Sequence, residues 1–340
     1  MSEIEFGLDT FGGLTDDGEG NPISHAQVIR DLVEDGVLAD ELGLDFFAVG
    51  EHHRPDFAVS SPEMVLSAIA ARTEKIRLGS AVTVLSSDDP VRVFERFATL
   101  DAVSNGRAEI VAGRGSFIES SPLFGYDLSD YEVLFEEKLG LLAALLTEKP
   151  VTWSGSTRTG LTDQRVYPET ANGIPTWVGV GGSPESVVRT ARHGFGLFLA
   201  IIGGAPERFA PYIDLFERAQ DQLEVPRAPV AVHSPGLVAE TDELARETVY
   251  DGWLEFRLRL GRERGWPDPA PGDFEREISG GSLYVGSPET VARKIAATLD
   301  VLKVDRFDLK YDQPVPHAAQ RRSIELYGEK VVPMVKDMLA

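Results

Sequence analysis

The sequence of 340 residues contains no cysteine, and that absence excludes several kinds of chemistry. Without a thiol the chain can form no disulfide, use no thiolate nucleophile and bind no metal ion through cysteine. Only six histidines are present, so a site built on imidazole has few positions available. No apolar run reaches the length of about 18 residues that a membrane-spanning helix needs, and residues 1–10 lack the pattern of a secretory signal. We therefore expect a cytoplasmic protein that does not bind membranes.

Positive charge is also scarce, because 33 lysine and arginine residues stand against 55 aspartate and glutamate residues, for a net charge of −22. Nucleic acid is therefore not an expected partner, since binding it requires a basic surface that neutralises phosphates. The acidic residues are spread along the chain, as on the solvated surface of a folded protein. This charge predicts an adaptation to high salt, where repulsion between surface charges is screened within about 3 Å at molar concentrations.

Apolar residues make up 42% of the chain, and they form short β-branched runs that alternate with longer helical segments. Apolar strands of this kind are typical of parallel sheets that helices cover on both faces. Eight of them predict a (β/α)8 TIM barrel, an α/β fold, in a single domain over residues 1–340. A doubly wound open sheet is the alternative, but residues 9–21 lack the G-x-G-x-x-G spacing expected of it. The predicted strands are 4–10, 45–50, 76–85, 108–113, 174–182, 196–202, 229–239 and 306–312.

Two segments interrupt this alternation of strands and helices. Residues 151–170, after the helix that follows strand four, are expected to form an inserted hairpin or a lid. Residues 261–281, after strand seven, are expected to form an irregular excursion. Long insertions in a compact domain are more often functional than idle.

The chemistry of a TIM barrel lies at the carboxyl ends of its strands, which directs attention to Glu51, His52 and His53 after strand two. Neighbouring residues of a strand face opposite sides, so at most one of the two imidazoles enters the pocket, and the spacing of a metal site is absent. We favour a single catalytic imidazole that titrates near neutral pH, with a metal site and a hydrogen-bonded turn as alternatives. His233 within strand seven and Asp312 at the end of strand eight are further polar residues at strand ends.

A second group of residues predicts a site for an anion. Arg114 follows strand four between two glycines, where a guanidinium can reach a phosphate without steric hindrance. Gly181 and Gly182 follow strand five and let the backbone approach a ligand, and Ser183 begins a helix whose N-terminal N–H groups favour an anion. Ordinary helix capping and pairing of Arg114 with a carboxylate are the alternatives.

Three stretches carry a resemblance to a known family: GEHHRPDF at 50–57, the block from DPVR to SNGRAEI at 89–110, and VGVGGSPES at 178–186. In combination they resemble the bacterial luciferase-like (LLM class) flavin-dependent monooxygenases and oxidoreductases, and the similarity runs from residue 4 to the C-terminus. The fold that this resemblance implies is a TIM barrel, in agreement with the count of strands.

The resemblance also implies roles for particular residues. His52 would be the active-site imidazole beside the flavin, and a cis peptide at Ala81–Val82 would lie below the flavin ring. Arg114 would face the flavin phosphate, and the turn 181–183 would supply backbone donors to it. The luciferase subunits carry a reactive cysteine at the position of Gly113, and its absence here argues against light emission.

The activity implied by the resemblance is that of a two-component monooxygenase. A separate flavin reductase would supply reduced FMN, and the protein, as a homodimer, would use it with O2 to oxidise a small organic substrate. Hydride transfer with coenzyme F420 and a non-catalytic flavin-binding role are the alternatives.

Overall fold

The computed structural model describes residues 4–18, 20–115, 119–265, 267–311 and 313–340, apart from the side chain of residue 264. Asp312, one of the predicted strand-end residues, lies outside the described residues. None of the helices in these ranges combines the length and the apolar character needed to cross a membrane.

Eight parallel strands form a closed barrel surrounded by helices, so the predicted (β/α)8 fold is confirmed. In chain order the strands are β1 (Glu5–Thr10), β2 (Phe46–Val49), β3 (Arg77–Ser80), β4 (Thr83–Val84), β5 (Ala108–Gly113), β6 (Val151–Trp153), β7 (Leu161–Gln164), β8 (Thr176–Val180), β9 (Gly196–Ala200), β10 (Val230–Val238), β11 (Tyr284–Gly286) and β12 (Arg306–Lys310). The barrel consists of β1, β2, β3, β5, β8, β9, β10 and β12, and β12 closes it by pairing with β1.

The helices begin and end where the sequence supplies caps. Asp89 accepts a hydrogen bond of 2.9 Å from the backbone N–H of Val91, Pro90 takes the first helical position, and the helix ends at Asn105 with a φ of 57°. The helices are α1 (His25–Glu41), α2 (Pro62–Ala70), α3 (Pro90–Ser104), α4 (Ser120–Leu123), α5 (Tyr131–Leu145), α6 (Pro184–Arg192), α7 (Ala210–Leu223), α8 (Asp242–Arg264), α9 (Asp273–Gly280), α10 (Pro288–Leu302), α11 (His317–Leu326) and α12 (Val332–Leu339).

The lower end of the barrel interior, at the amino ends of the strands, is filled by a network of ion pairs. Arg306 of β12 is fully buried, and its guanidinium donates to both carboxylate oxygens of Glu109 at 2.9 and 3.1 Å. It also donates to Glu5 at 2.8 Å, and Arg77 donates to Glu109 at 2.7 Å. Each carboxylate is matched by a cation, so this end of the barrel is closed by polar groups that satisfy one another.

The two predicted insertions are both present. The first contains the antiparallel hairpin of β6 and β7, which is anchored to α5 because Glu137 accepts hydrogen bonds of 2.9 Å from the backbone of Ser156 and Thr157. A hairpin in this segment is confirmed, and its movement as a lid stays a prediction.

The expectation that residues 261–281 are irregular is wrong for much of the segment. Helix α8 (Asp242–Arg264) extends into this segment. Helix α9 (Asp273–Gly280) follows a stretch that contains three prolines. Phe274 and Ile278 are spaced by one helical turn, and both are buried in a cluster with Trp253. This apolar pair stabilises a short helix that the surrounding prolines and glycines obscure in the sequence.

Candidate active site

The mouth of the barrel, at the carboxyl ends of the strands, contains a recess. Alternate residues of a strand face the same side, so Gly179 faces inward like the buried Trp177 two residues before it. Gly179 is nevertheless partly exposed, as are Val82, Ala200 and Lys310 at the ends of neighbouring strands. Solvent therefore reaches the inner wall of the barrel at this end.

The floor of the recess is formed by Val82 resting on two glycines. The peptide between Ala81 and Val82 is cis, as the family resemblance implied. A Cβ atom at Gly113 would lie 2.5 Å from Val82 Cγ2, and one at Gly179 would lie 2.8 Å from Val82 Cγ1. The glycines therefore leave room for Val82, and the small residues around it form a shallow floor that a planar ring can approach.

His52 lies beside this floor and is held between aromatic rings. Its imidazole stacks on Phe57 at a centroid distance of 4.3 Å and meets the edge of Phe11 at 4.8 Å. Nδ1 of His52 lies 3.5 Å from Oε1 of Glu119. Burial by itself would raise the pKa of Glu119, but the hydrogen bond with His52 and the backbone contacts hold it below its usual value. The ring is therefore fixed in orientation by two aromatic contacts and one carboxylate.

Glu51 and His53 are hydrogen-bonded to each other and stabilise the turn after β2. Nε2 of His53 lies 2.8 Å from Oε1 of Glu51, and this hydrogen bond raises the pKa of His53. The second oxygen of Glu51 accepts from the backbone N–H of Val84 at 3.0 Å, which ties the loop after β2 to β4. Across the described ranges, no three His, Asp or Glu side chains are arranged to hold a metal ion.

Arg114 lies at the end of β5 and is paired with a carboxylate in this structure. Its guanidinium donates to Glu132 and lies 5.3 Å above the ring of Tyr131. Glu132 also lies 3.3 Å from the guanidinium of Arg189, a residue of α6 that the sequence-based prediction did not include. Arg189 is nearly buried, and its Nη1 has no hydrogen-bond partner among the described residues. Arg114 and Arg189 therefore share Glu132 at this side of the mouth, and Arg189 also pairs with Glu136.

The turn that begins α6 faces the same region. Gly182 has a φ of 120°, which a side chain would strain, and its carbonyl accepts a hydrogen bond of 2.9 Å from Tyr212. Ser183 caps the helix by accepting from the backbone of Ser186 at 3.3 Å. Among the described residues, no atom lies within 4 Å of a Cβ built on Gly181. The hydroxyl of Ser186 is buried and has no partner in the described part of the chain.

The positive charges of Arg114 and Arg189 act on the turn that begins α6. The pKa of Glu185, in the first turn of α6, is lowered by hydrogen bonds from its own backbone and from Ser183, and further by the charges of Arg114 and Arg189. These two cations therefore act on the N-terminus of α6, where free N–H groups also favour an anion. Together with the unpartnered Ser186 hydroxyl and Arg189 Nη1, the residues present fit a phosphate group.

The structure also brings together residues that the sequence-based prediction missed. Asp9 of β1 lies 3.0 Å from Nδ1 of His233, and both side chains face the barrel interior near its mouth. His233 was noticed as a polar residue of strand seven, but nothing in the sequence indicated a partner for it.

The steric account of the floor makes a prediction for Gly113. Replacing Gly113 with cysteine is expected to lower the free energy of unfolding by about 1–3 kcal/mol, because the new side chain would overlap Val82. Adding Val82→Ala to the Gly113→Cys variant is expected to recover part of the lost stability, because the smaller side chain leaves room for the cysteine. Urea denaturation checks both changes, and Gly203→Cys serves as the control because no atom of the described part of the chain lies within 4 Å of a Cβ at Gly203. A Gly113→Cys variant as stable as the control would show that the floor is not packed as described.

This chain is similar to known proteins over most of its length. The luciferase-like monooxygenase family model matches residues 9–306. The 4-hydroxyprotoasukamycin monooxygenase of Streptomyces nodosus subsp. asukaensis is 29% identical, covering 86% of this chain and 83% of that protein.

Two solved structures share the fold. The oxygenating constituent of 3,6-diketocamphane monooxygenase from Pseudomonas putida, in complex with FMN, has a TM-score of 0.77 at 19% identity, covering 97% of this chain and 98% of that one. The coenzyme F420-dependent tetrahydromethanopterin reductase from Methanopyrus kandleri has a TM-score of 0.70 at 18% identity, covering 98% and 99%.

Proposed function

The chain belongs to the luciferase-like monooxygenase family, and we propose that it works as a two-component enzyme that uses reduced FMN and O2 to oxidise a small organic substrate. The observation that carries this proposal is the family match over residues 9–306, most of the chain. A separate flavin reductase would deliver the reduced FMN. When bound, reduced FMN supplies the electrons that activate O2 for transfer of one oxygen atom to the substrate.

The recess at the barrel mouth suits FMN at both of its ends. The Ala81–Val82 peptide and the glycines beneath Val82 provide the flat floor for the ring. Arg114, the turn 181–183 and the N-terminus of α6 would bind the phosphate through a cation and backbone N–H groups. The phosphate would compete with Glu132 for the guanidinium of Arg114.

His52 is the residue we propose to handle protons beside the flavin. Phe11 and Phe57 pack on its ring and keep water away from it, while Glu119 holds Nδ1 and so sets the direction of the imidazole. A histidine held in this way can deliver a proton to the reaction or remove one from it.

The phosphate assignment predicts a selective effect of Arg114→Leu. This variant is expected to bind FMN about tenfold or more weakly, because a charge-assisted hydrogen bond to the phosphate is lost. Its affinity for riboflavin, which lacks the phosphate, is expected to stay unchanged. Fluorescence titration with both flavins checks the prediction, and Arg165→Leu, in the exposed Arg165–Glu169 pair, is the control. An equal loss for both flavins would show that Arg114 does not bind the phosphate.

Hydride transfer with coenzyme F420 is the second candidate, because a neighbour of the same fold depends on that cofactor. The monooxygenase proposal is preferred since the family match and the 29% identical relative both carry that name.

We further propose that residues 1–340 act as one domain in a cytoplasmic homodimer. The net charge of −22 supports a role at high salt.

Oxygen uptake tests the proposed function. The protein is combined with a flavin reductase, NADH and FMN, and a panel of small organic compounds is screened for oxygenated products by mass spectrometry. Under 18O2 one labelled oxygen atom is expected in the product. If no compound is oxygenated, and the protein instead reduces or oxidises substrates only with F420, the monooxygenase proposal is wrong.

A further inference from the structure

The inward faces of β1, β10 and β12 carry four charged or titratable residues at the upper end of the barrel. In the strand register, His233 of β10 lies opposite Asp308 of β12, and Asp9 of β1 lies opposite Lys310 of β12. None of these residues belongs to the proposed flavin floor or to the proposed phosphate site. They occupy the opposite side of the mouth, so they face whatever shares the recess with the flavin.

Asp9 and His233 form a buried pair in which the donor and the acceptor of the hydrogen bond can be assigned. Oδ2 of Asp9 lies 3.0 Å from Nδ1 of His233, and the two residues are 0% and 5% exposed. An ionised carboxylate can only accept a hydrogen bond, so the proton of the neutral imidazole lies on Nδ1 and Nε2 keeps its lone pair. Within the described residues Nε2 of His233 makes no hydrogen bond. Nε2 of His233 is therefore available as a base, while Asp9 holds the other ring nitrogen, Nδ1.

Structural stability alone does not explain this cluster. At the lower end of the same barrel, the carboxylate of Glu109 is matched by the guanidinium of Arg306. At the upper end, Oδ1 of Asp9 and both oxygens of Asp308 are buried and have no partner in the described part of the chain. Buried polar atoms without partners cost free energy, and a native structure that keeps them usually has a functional reason.

Asp308 is the member of the cluster that burial affects most strongly. Burial raises the pKa of Asp308 well above its usual value, and Asp9 and Glu109 add to this effect while Arg306 opposes it. Asp308 is therefore biased toward its protonated form, and Asp9 is the carboxyl group in contact with His233. Lys310 is partly exposed and brings a positive charge to the same side of the recess.

Phe11 connects this cluster with the site around His52. Nζ of Lys310 lies 4.2 Å above the ring of Phe11, and the same ring meets the imidazole of His52 at 4.8 Å. The ring of His233 itself packs against the ring of Phe198, at a centroid distance of 5.4 Å. A substrate held at this position would have aromatic walls, a base and a cation around it.

We propose that Asp9 and His233 form a second acid–base centre, which removes the proton of a weakly acidic O–H group and so selects phenolic or enolic substrates. In this step the O–H bond of the substrate breaks, an N–H bond forms at Nε2 of His233, and the electron pair stays on the substrate oxygen. Asp9 remains ionised and stabilises the imidazolium, and Lys310 offers its charge to the new oxyanion. A phenolate or enolate is more reactive toward electrophilic oxygen than its neutral form. The inference rests on the proposed function for the step that follows, but deprotonation itself needs no flavin.

The test uses 4-nitrophenol as a probe, because its neutral and ionised forms have different absorption bands. The purified protein is titrated with the probe at a pH where the free probe is mostly neutral, with and without FMN. We expect the bound probe to be ionised in wild type. His233→Asn and Asp9→Asn are expected to bind the ionised probe about tenfold to hundredfold more weakly. His25→Asn, at the exposed start of α1, is the matched control and is expected to behave as wild type.

The outcomes separate this inference from the proposed function. A wild-type protein that binds the probe only as the neutral phenol, or does not bind it, overturns the inference whatever the variants do. Equal ionisation of the probe in wild type and in a folded His233→Asn variant overturns it as well. Failure of FMN to bind, followed by fluorescence in the same samples, counts against the proposed function and leaves the result of the flavin-free titration in place.

Discussion

Replacing His52 with asparagine is expected to lower the rate of oxygenation by about 100-fold or more, because a positioned general acid or base contributes about that much to a reaction. Binding of FMN is expected to change by no more than a few-fold, since the proposed floor and phosphate site do not include this side chain. The ring is packed between Phe11 and Phe57, so a modest loss of stability is expected too. The measurement is single-turnover oxygenation with reduced FMN, in parallel with a flavin titration.

The control for His52→Asn is His25→Asn, which changes an exposed histidine of α1 to the same residue. Its rate is expected to equal that of wild type. If His52→Asn oxygenates as fast as this control, the proton-handling role of His52 is wrong. If it instead loses flavin binding and rate together, His52 acts in binding rather than in the chemical step.

The second large effect concerns stability. Arg306→Met is expected to lower the free energy of unfolding by about 3–5 kcal/mol, because it removes the buried guanidinium that pairs with both oxygens of Glu109 and leaves Arg77 as the remaining cation beside that carboxylate. Glu109 is fully buried and pairs with this guanidinium through both oxygens. The guanidinium also lies over the rings of Phe46 and Trp177, at 4.3 and 4.6 Å from their centroids. Urea denaturation, followed by circular dichroism, measures the change.

Two further variants show whether unpaired charge is the cause. Arg306→Met combined with Glu109→Gln is expected to be more stable than Arg306→Met alone, because the buried charge is then removed together with its partner. Arg165→Met, in an exposed pair with Glu169, is expected to change stability by less than about 1 kcal/mol. A loss for Arg306→Met no larger than that of Arg165→Met would contradict the described network.

The eight barrel strands were predictable from the sequence because each contains a short apolar run that is visible locally. The strand over 108–113 was expected and β5 covers Ala108–Gly113, and the strand over 4–10 corresponds to β1 (Glu5–Thr10). Strand 76–85 is divided into β3 and β4 by the cis peptide, which the family resemblance implied but no local pattern indicated. Local signals therefore fix the order of elements, and they say less about where a strand breaks.

The candidate site was predictable in part. Strand ends pointed to His52 and Arg114, because the fold fixes where strand ends meet. The pair of Asp9 and His233 was missed because the two residues are 224 positions apart and meet only through the closure of the barrel. Arg189 was missed for a similar reason, since its position on α6 looks like one more charged residue of a solvated helix.

An anaerobic titration tests the central claim, that the recess binds reduced FMN, most directly. One preparation of the protein is titrated with reduced FMN and with reduced F420, each followed by its absorbance and by calorimetry. The account predicts saturable binding of one reduced FMN per chain, weakened in Arg114→Leu, and much weaker binding of F420. Saturable binding of F420 without binding of reduced FMN would contradict it, as would the absence of binding for both.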